Sequence, residues 1–184
     1  MLKLFEKNYK QLEGYSPFLS NHYVISTLKG AAQLYQYFNG FVIREGTEGI
    51  PANFVESLFK DAGWAKNIPS WQKEKYSLIF KNSTWAFTVW DNERMIAMVR
   101  VISDQIMAAN IMDLVVLSEY RGKGIGKKLV ELCIQKLPHG DWFAHTSANN
   151  FKFYESCGME LKDLSTHGTC VYYGYIQARK DGHR

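Results

Sequence analysis

Residues 112–129 read MDLVVLSEYRGKGIGKKL, and they decide the fold class. The continuous apolar run Leu114–Leu117 is typical of a strand that is covered on both faces. Apolar residues then recur at helical spacing from Ile125 to Leu137, which predicts an amphipathic helix ended by Pro138 and Gly140. The stretch therefore predicts a buried strand, a glycine-rich turn and a helix, in that order.

The turn has glycine at alternate positions, Gly122, Gly124 and Gly126. Glycine leaves the amide N–H groups open to a ligand, and the unpaired amides of a helix start form an anion site. Four cations surround this start, although the helix dipole disfavours cations there; they are Arg121, Lys123, Lys127 and Lys128. A bound anion explains their positions, and a tight turn with solvated lysines is the alternative.

The spacing excludes two common phosphate loops. A Walker A loop needs a glycine five residues before its Gly-Lys pair and Ser or Thr after it, but Arg121 and Lys128 hold those places. The dinucleotide fingerprint needs its third glycine three residues after the second, where Lys127 lies. The pattern that fits is Arg/Gln-x-x-Gly-x-Gly/Ala, with Arg121, Gly124 and Gly126. The stretch thus resembles the acetyl-CoA motif of the GNAT superfamily of N-acetyltransferases.

This resemblance implies an α/β fold with a single mixed, mostly antiparallel central sheet flanked by helices. It implies acetyl-CoA as co-substrate and no metal. A backbone N–H of the strand, around Leu114–Val116, is expected to serve as the oxyanion donor. The residues expected to contact the coenzyme are Leu114, Val115, Val116, Arg121, Gly122, Lys123, Gly124, Ile125, Gly126 and Lys127.

A second motif, Phe153-Tyr154-Glu155-Ser156-Cys157-Gly158-Met159, is similar to a later signature of the same family. The resemblance implies that Tyr154 is the general acid that protonates the departing thiolate. Many members carry an asparagine seven residues earlier, where this chain has Ser147; Asn149 or Asn150 is a candidate replacement. The general base is open, and Asp113 and His145 are more simply explained as structural residues.

Composition sets broad limits on function. With 184 residues and 46% hydrophobic content, the chain has the size of one globular domain. A net charge of +4 suits a small polyanion and is too weak to indicate nucleic acid. Three widely spaced cysteines indicate reduced thiols and a cytoplasmic location. No apolar run is long enough to span a membrane.

The order of elements predicts a GNAT-like domain over residues 39–184 and an aromatic-rich extension, residues 1–38, that packs on it and contains a short helix at 28–38. Ser70 is predicted to cap a helix, Asp141–Thr146 to be a buried strand, Met159–Leu161 to begin a strand, and Thr169–Ile176 to be the last strand. Three aromatic residues are candidates to contact the acceptor: Trp64, Trp71 and Tyr76.

The leading functional hypothesis is an acetyl-CoA-dependent N-acetyltransferase that moves acetyl to a primary amine by direct attack. A coenzyme A-binding sensor or scaffold without turnover is the alternative, and a nucleotide-phosphate binder is a third. The acceptor, a small-molecule or peptide amine, is not readable from the sequence, and a homodimer is possible.

Overall fold

A computed structural model describes residues 23–28, 31–64, 68–162 and 182, with side chains described from residue 35 onward. Within these residues the chain forms one seven-stranded sheet whose strands lie in sequence order. The strands are β1 Tyr23–Leu28, β2 Ala31–Phe38, β3 Phe41–Glu45, β4 Trp85–Asp91, β5 Arg94–Ser103, β6 Ala108–Val116 and β7 Asp141–Ala144. The α-helices are α1 Ala52–Asp61, α2 Ser70–Lys73, α3 Tyr76–Lys81, α4 Ile125–Lys136 and α5 Phe151–Ser156.

Strands β1 to β6 pair antiparallel, each with the next. The last pair, β6 and β7, is parallel, because α4 carries the chain back across the sheet between them. The sheet is therefore mixed and mostly antiparallel, which confirms the predicted fold class.

Helices cover both faces of the sheet. Phe54 of α1 packs edge-on against Trp90 of β4, with ring centroids 5.3 Å apart. Lys136 of α4 pairs with Glu45 of β3 at 2.6 Å. Glu45 follows Arg44, which lies opposite Thr88 and so shares the face of Trp90. Because successive residues of a strand point to opposite faces, α1 and α4 lie on opposite sides of the sheet.

The core fills the two layers between sheet and helices. Helix α1 contributes Val55, Leu58 and Phe59, all buried. Helix α4 contributes the apolar face predicted from its spacing, with Ile125, Leu129, Val130, Leu132 and Cys133 buried. The centre of β5 is covered on both faces, since every residue from Met95 to Val99 is buried. This core fixes where β6 ends and α4 begins.

Several local predictions were wrong. Residues 31–38 form a strand rather than a helix, because they pair with both β1 and β3, and a short apolar run does not distinguish helix from strand. Pro69, not Ser70, holds the N-cap position of α2, because Pro69 has an extended backbone (φ −68°, ψ 155°) and Ser70 already lies within the helix. Residues 159–162 lie outside any regular element.

Strand β7 is shorter than predicted and is not buried on both faces. It ends at Ala144, and Phe143 is 50% exposed, whereas Trp142 and Ala144 pack against the core. The predicted strand Thr169–Ile176 and residues 1–22 lie outside the described residues. The boundary at residue 38 stays a prediction, although β1 and β2 extend the same sheet.

Candidate active site

The glycine loop joins the end of β6 to the start of α4. A 3₁₀ turn at Ser118–Tyr120 follows the strand, and α4 begins at Ile125. Gly122 and Gly124 both have φ +77°, a conformation that L side chains rarely adopt, so the chain needs glycine there. A Cβ added at Gly122 would meet no atom within 4 Å, so the space beside this backbone is open. The loop thus presents unshielded amides at the helix start.

The two sequence motifs lie against each other. A Cβ added at Gly126 would lie 3.2 Å from Phe153 Cε2 and Cζ, and 3.8 Å from Val116 Cγ2. The absence of a side chain at Gly126 lets the Phe153 ring reach the first turn of α4. Strand β6, the loop and α5 therefore meet at one place.

The four loop cations have different surroundings. Arg121 Nε donates to the Val116 carbonyl oxygen at 3.0 Å, and its Nη2 lies 3.4 Å from Asp61 Oδ2. Lys128 pairs with Glu131 at 3.0 Å. Among the described residues, Lys123 and Lys127 have no ion-pair partner. Arg121 and Lys128 therefore have partners within the protein, whereas the charges of Lys123 and Lys127 face no described carboxylate.

Asp61, at the end of α1, anchors the beginning of the loop. Its carboxylate accepts hydrogen bonds from the Ser118 N–H at 2.9 Å and the Ser118 hydroxyl at 2.6 Å, besides the contact with Arg121. This role has no signature in the sequence, because no local spacing relates residue 61 to residue 118.

The β2–β3 turn supports the loop from another side. Asn39 Nδ2 donates to the Lys123 carbonyl oxygen at 3.2 Å. The Phe38 ring lies 3.5 Å from where a Cβ on Gly124 would be. The Lys123 ammonium lies 4.9 Å from the ring centroid of Tyr120, a cation–π distance. The contacts of Phe38 and Asn39 with the loop have no local signature in the sequence.

Strand β6 is bulged where it approaches the loop. Met98 pairs with Val115 and Arg100 with Met112, so one more residue lies on β6 than on β5 between these pairs. Strand β7 pairs with β6 only from Ala108 to Ile111 within the described residues. The predicted coenzyme-contacting residues Leu114, Val115 and Val116 thus lie beyond the paired part of β7, next to the loop.

Tyr154 is half-buried on α5, beside Phe153, with ring centroids 5.0 Å apart in an edge-to-face arrangement. Burial, followed by the neighbouring thiols of Cys157 and Cys133, raises the pKa of Tyr154 to about 12. The phenol is therefore fully protonated at neutral pH. Tyr154 packs against the buried core, to which Cys133 of α4 also belongs.

The candidates for the general base and for the coenzyme-contacting asparagine lie at separate places in the structure. Asp113 forms an ion pair with Arg100, which explains a carboxylate in this strand. His145 is exposed just after β7. The Asn150 amide donates to Thr146 Oγ1 at 3.0 Å, so it stabilises the turn before α5; Asn149 is exposed.

Two of the three aromatic candidates, Trp64 and Tyr76, lie beside Phe59. Its ring centroid is 5.6 Å from that of Trp64 and 5.2 Å from that of Tyr76. Trp64 and Trp71 are each 49% exposed, whereas Tyr76 is buried and its hydroxyl has no hydrogen-bond partner among the residues that the structure describes. Burial raises the pKa of Tyr76, with a smaller contribution from the Glu56 carboxylate.

The described part of the chain has neither a cluster of metal-ligating side chains nor a helix suited to a bilayer. No group of three or more His, Cys, Asp or Glu side chains there is placed to hold a metal ion. Nor does that part contain a helix both long and apolar enough to cross a bilayer.

Comparison with known proteins gives a family match and a set of similar folds. Residues 54–159 match the sequence model described as the acetyltransferase (GNAT) family. A GNAT-family acetyltransferase from Streptococcus pneumoniae is 21% identical, with a TM-score of 0.57, over 72% of this chain and 97% of that one. Glucosamine-6-phosphate N-acetyltransferase from Arabidopsis thaliana is 22% identical, with a TM-score of 0.55, over 72% and 98%.

A third similar structure is an aminoglycoside acetyltransferase from an uncultured soil metagenomic sample, in complex with sisomicin. It is 19% identical, with a TM-score of 0.58, over 73% of this chain and 96% of that one. No curated protein matches the chain significantly. At these identities the structural likeness establishes the fold, and the family model establishes the family.

Proposed function

The chain belongs to the GNAT acetyltransferase family, and on that premise we propose that it transfers acetyl from acetyl-CoA to a primary amine. The proposal rests on one observation: three elements lie together at the N-terminus of α4. They are the glycine loop, the bulged end of β6, and the Phe153–Tyr154 motif. A coenzyme-binding sensor without turnover would use the loop but would have no need of the Tyr154 hydroxyl.

The loop fits the pyrophosphate of a coenzyme. The space beside Gly122 is open, its φ of +77° turns the backbone at the helix start, and Lys123 and Lys127 supply positive charge. Anions are stabilised at helix N-termini by unpaired amides and by the helix dipole. We propose that Gly122 to Lys127 bind the pyrophosphate, and that Arg121 keeps the loop joined to Val116.

The end of β6 would bind the reactive part of the coenzyme, which supplies an activated thioester carbonyl. Within the described residues, the pairing of β6 with β7 ends at Ile111, before this part of the strand. Backbone groups around Leu114–Val116 can therefore face a ligand rather than a neighbouring strand. An N–H held there would stabilise the negative charge that develops on the carbonyl oxygen, the type of contact that gives large rate effects.

Tyr154 is the proposed general acid. Its raised pKa of about 12 means that its hydroxyl carries a proton throughout the working range. It also makes the phenol a weaker acid than a thiol, whose usual pKa is about 8.5. We therefore infer that the hydroxyl assists departure by donating a hydrogen bond to the developing thiolate, and that a proton passed to the sulfur is replaced on the phenol by the proton that the attacking amine releases.

The acceptor is an amine on a small molecule or a peptide. Two of the similar structures are named for an amino sugar phosphate and an aminoglycoside, which makes amino sugars the first class to test. Trp64 and Trp71 offer exposed aromatic faces near α1 and α2 for such an acceptor. Free thiols at Cys133 and Cys157 agree with a reducing, cytoplasmic location as part of the same proposal.

The test is release of free coenzyme A thiol that depends on an added amine. The panel should contain aminoglycosides, amino sugar phosphates, polyamines, amino acids and N-terminal peptides. We expect at least one amine to raise thiol release well above the rate with acetyl-CoA alone. If acetyl-CoA binds but no amine in the panel does so, the sensor hypothesis is favoured.

The assay needs a control for the protein's own thiols. Cys157 is partly exposed and would react slowly with a thiol reagent. The Cys157→Ser variant removes this background. Amine-dependent release should persist in that variant.

A further inference from the structure

We propose that Arg100 and Asp113 form a positioning pair that sets the shape of β6 for acetyl transfer; this role rests on the proposed function. The first observation is the bulge itself. Between the pairs Met98–Val115 and Arg100–Met112, only Val99 stands on β5, whereas Asp113 and Leu114 both stand on β6. A bulge leaves its extra residue outside the regular ladder and changes the direction of the strand.

The second observation is the backbone at the bulge. Asp113 has φ +49°, in the left-handed region that non-glycine residues seldom occupy. Aspartate tolerates this region better than most residues, but the conformation still needs support from its surroundings. Strained residues of this kind cluster at functional sites, and this one immediately precedes the strand end proposed to bind the thioester.

The third observation identifies that support. The Arg100 guanidinium Nε donates to Asp113 Oδ2, and the two side chains are only 16% and 22% exposed. Arg100 lies on β5, paired with Met112, so its side chain reaches across from the neighbouring strand to the bulged residue. A charge-assisted bond in a mostly buried place has more effect on geometry than a surface ion pair has.

The consequence concerns the amide next to Asp113. Neither Asp113 nor Leu114 has a partner in the described ladder with β5, and we expect the bond from Arg100 to hold the peptide between them in one orientation. We infer that this orientation directs a backbone N–H of the Leu114 region at the thioester oxygen. Arg100 and Asp113 thus act through the backbone, and neither is assigned a contact with the coenzyme or a role in proton transfer.

The experiment compares Arg100→Met, Asp113→Asn and the double variant in steady-state kinetics with acetyl-CoA and the best amine. Asparagine keeps the tolerance for positive φ and removes only the charge. We expect each single variant to lower kcat about 10-fold or more, with KM for acetyl-CoA changed less than about 2-fold, because a misplaced donor affects the transition state. The double variant should be no slower than the slower single variant, since the partners act as a unit.

Further variants separate the causes. Arg100→Lys keeps a charge without the planar fork and should recover part of kcat. Asp113→Gly relieves the strain but has no carboxylate, so it should stay slow. Full activity in Asp113→Gly or in Arg100→Met would overturn the proposal. If Asp113→Asn is inactive while Arg100→Met keeps full activity, the proposal is also overturned, because the carboxylate then acts without Arg100.

Lys136→Met is the matched control. It breaks another partly buried ion pair, with Glu45, whose side chains are 31% and 24% exposed. It should lower thermal stability and leave kcat unchanged. Amide hydrogen exchange of residues 112–116 supplies a readout that needs no activity: it should be faster in Arg100→Met and Asp113→Asn and unchanged in Lys136→Met. If exchange is faster in the two variants but the parent protein transfers no acetyl, the proposed function has failed. If exchange in the two variants is unchanged, the pair has no positioning role.

Discussion

A glutamate in place of Gly122 tests whether the loop is an anion site. Gly122 has φ +77°, and a Cβ there meets no atom within 4 Å, so the change adds a negative charge without a steric clash. The left-handed conformation costs an L residue about 1–2 kcal/mol, which we expect to appear as a lower melting temperature. The strain alone, however, gives no reason for weaker ligand binding.

The expected loss of affinity comes from the phosphate contacts. A hydrogen bond to a charged group contributes about 1.5–3 kcal/mol. If the carboxylate displaces a phosphate from two amides, binding loses about 3 kcal/mol at the lower value, or about 100-fold in Kd. Isothermal titration calorimetry with acetyl-CoA measures this directly, and repulsion between the carboxylate and the phosphates would increase the loss.

Gly49→Glu is the matched control for this variant. Gly49 has φ +72° and likewise has nothing within 4 Å of an added Cβ, but it lies between β3 and α1, away from the loop. Its strain should equal that of Gly122→Glu, so the two melting temperatures should fall together. Only Gly122→Glu should lose affinity for acetyl-CoA. If Gly122→Glu is folded and binds acetyl-CoA within about 2-fold of the parent, the assignment of the loop is wrong.

Three further predictions follow from the thiols and the phenol. Tyr154→Phe should lower single-turnover acetyl transfer by about 10²-fold or more while acetyl-CoA affinity stays nearly constant, and equal rates in one turnover would remove the general-acid role. Because burial raises the pKa of Tyr154 from 10.0 to about 12, its contribution to stability is complete below pH 10 and is lost as the pH rises through 12. The melting temperature should therefore fall over that window, less steeply in Tyr154→Phe, and identical pH curves would count against the burial of the hydroxyl. Burial also raises the pKa of the Cys133 thiol to about 12, so iodoacetamide at pH 8 should label it only after denaturation; labelling of native Cys133 as fast as Cys157 would contradict this.

The sequence was most informative where local chemistry determines structure. The apolar run before Ser118 and the spacing from Ile125 to Lys136 correctly predicted a strand and a helix, because both depend on periodic burial. The alternate glycines correctly predicted a turn, and two of them have positive φ. The role predicted for the second motif, Phe153–Met159, came from the family resemblance. The structure adds that Phe153 lies close to Gly126.

Contacts between distant segments were not predictable. Asp61 binds Ser118 and Asn39 binds Lys123, and neither pair has any local signature in the sequence. Residues 31–38 were wrongly read as a helix for a related reason, since their pairing with β1 and β3 is a tertiary property. The bulge at Asp113 also depends on how β5 and β6 align, which a single strand does not reveal.

Transfer of a labelled acetyl group is the most direct test of whether the protein is an N-acetyltransferase. Acetyl-CoA carrying carbon-13 in its acetyl group is incubated with the best amine, and the product is identified by mass spectrometry beside the released thiol. We expect labelled N-acetyl product in equal amount to the thiol with the parent and with Gly49→Glu, and almost none with Gly122→Glu at low acetyl-CoA concentration. Thiol release without labelled amine, or equal product from all three proteins, would contradict this expectation.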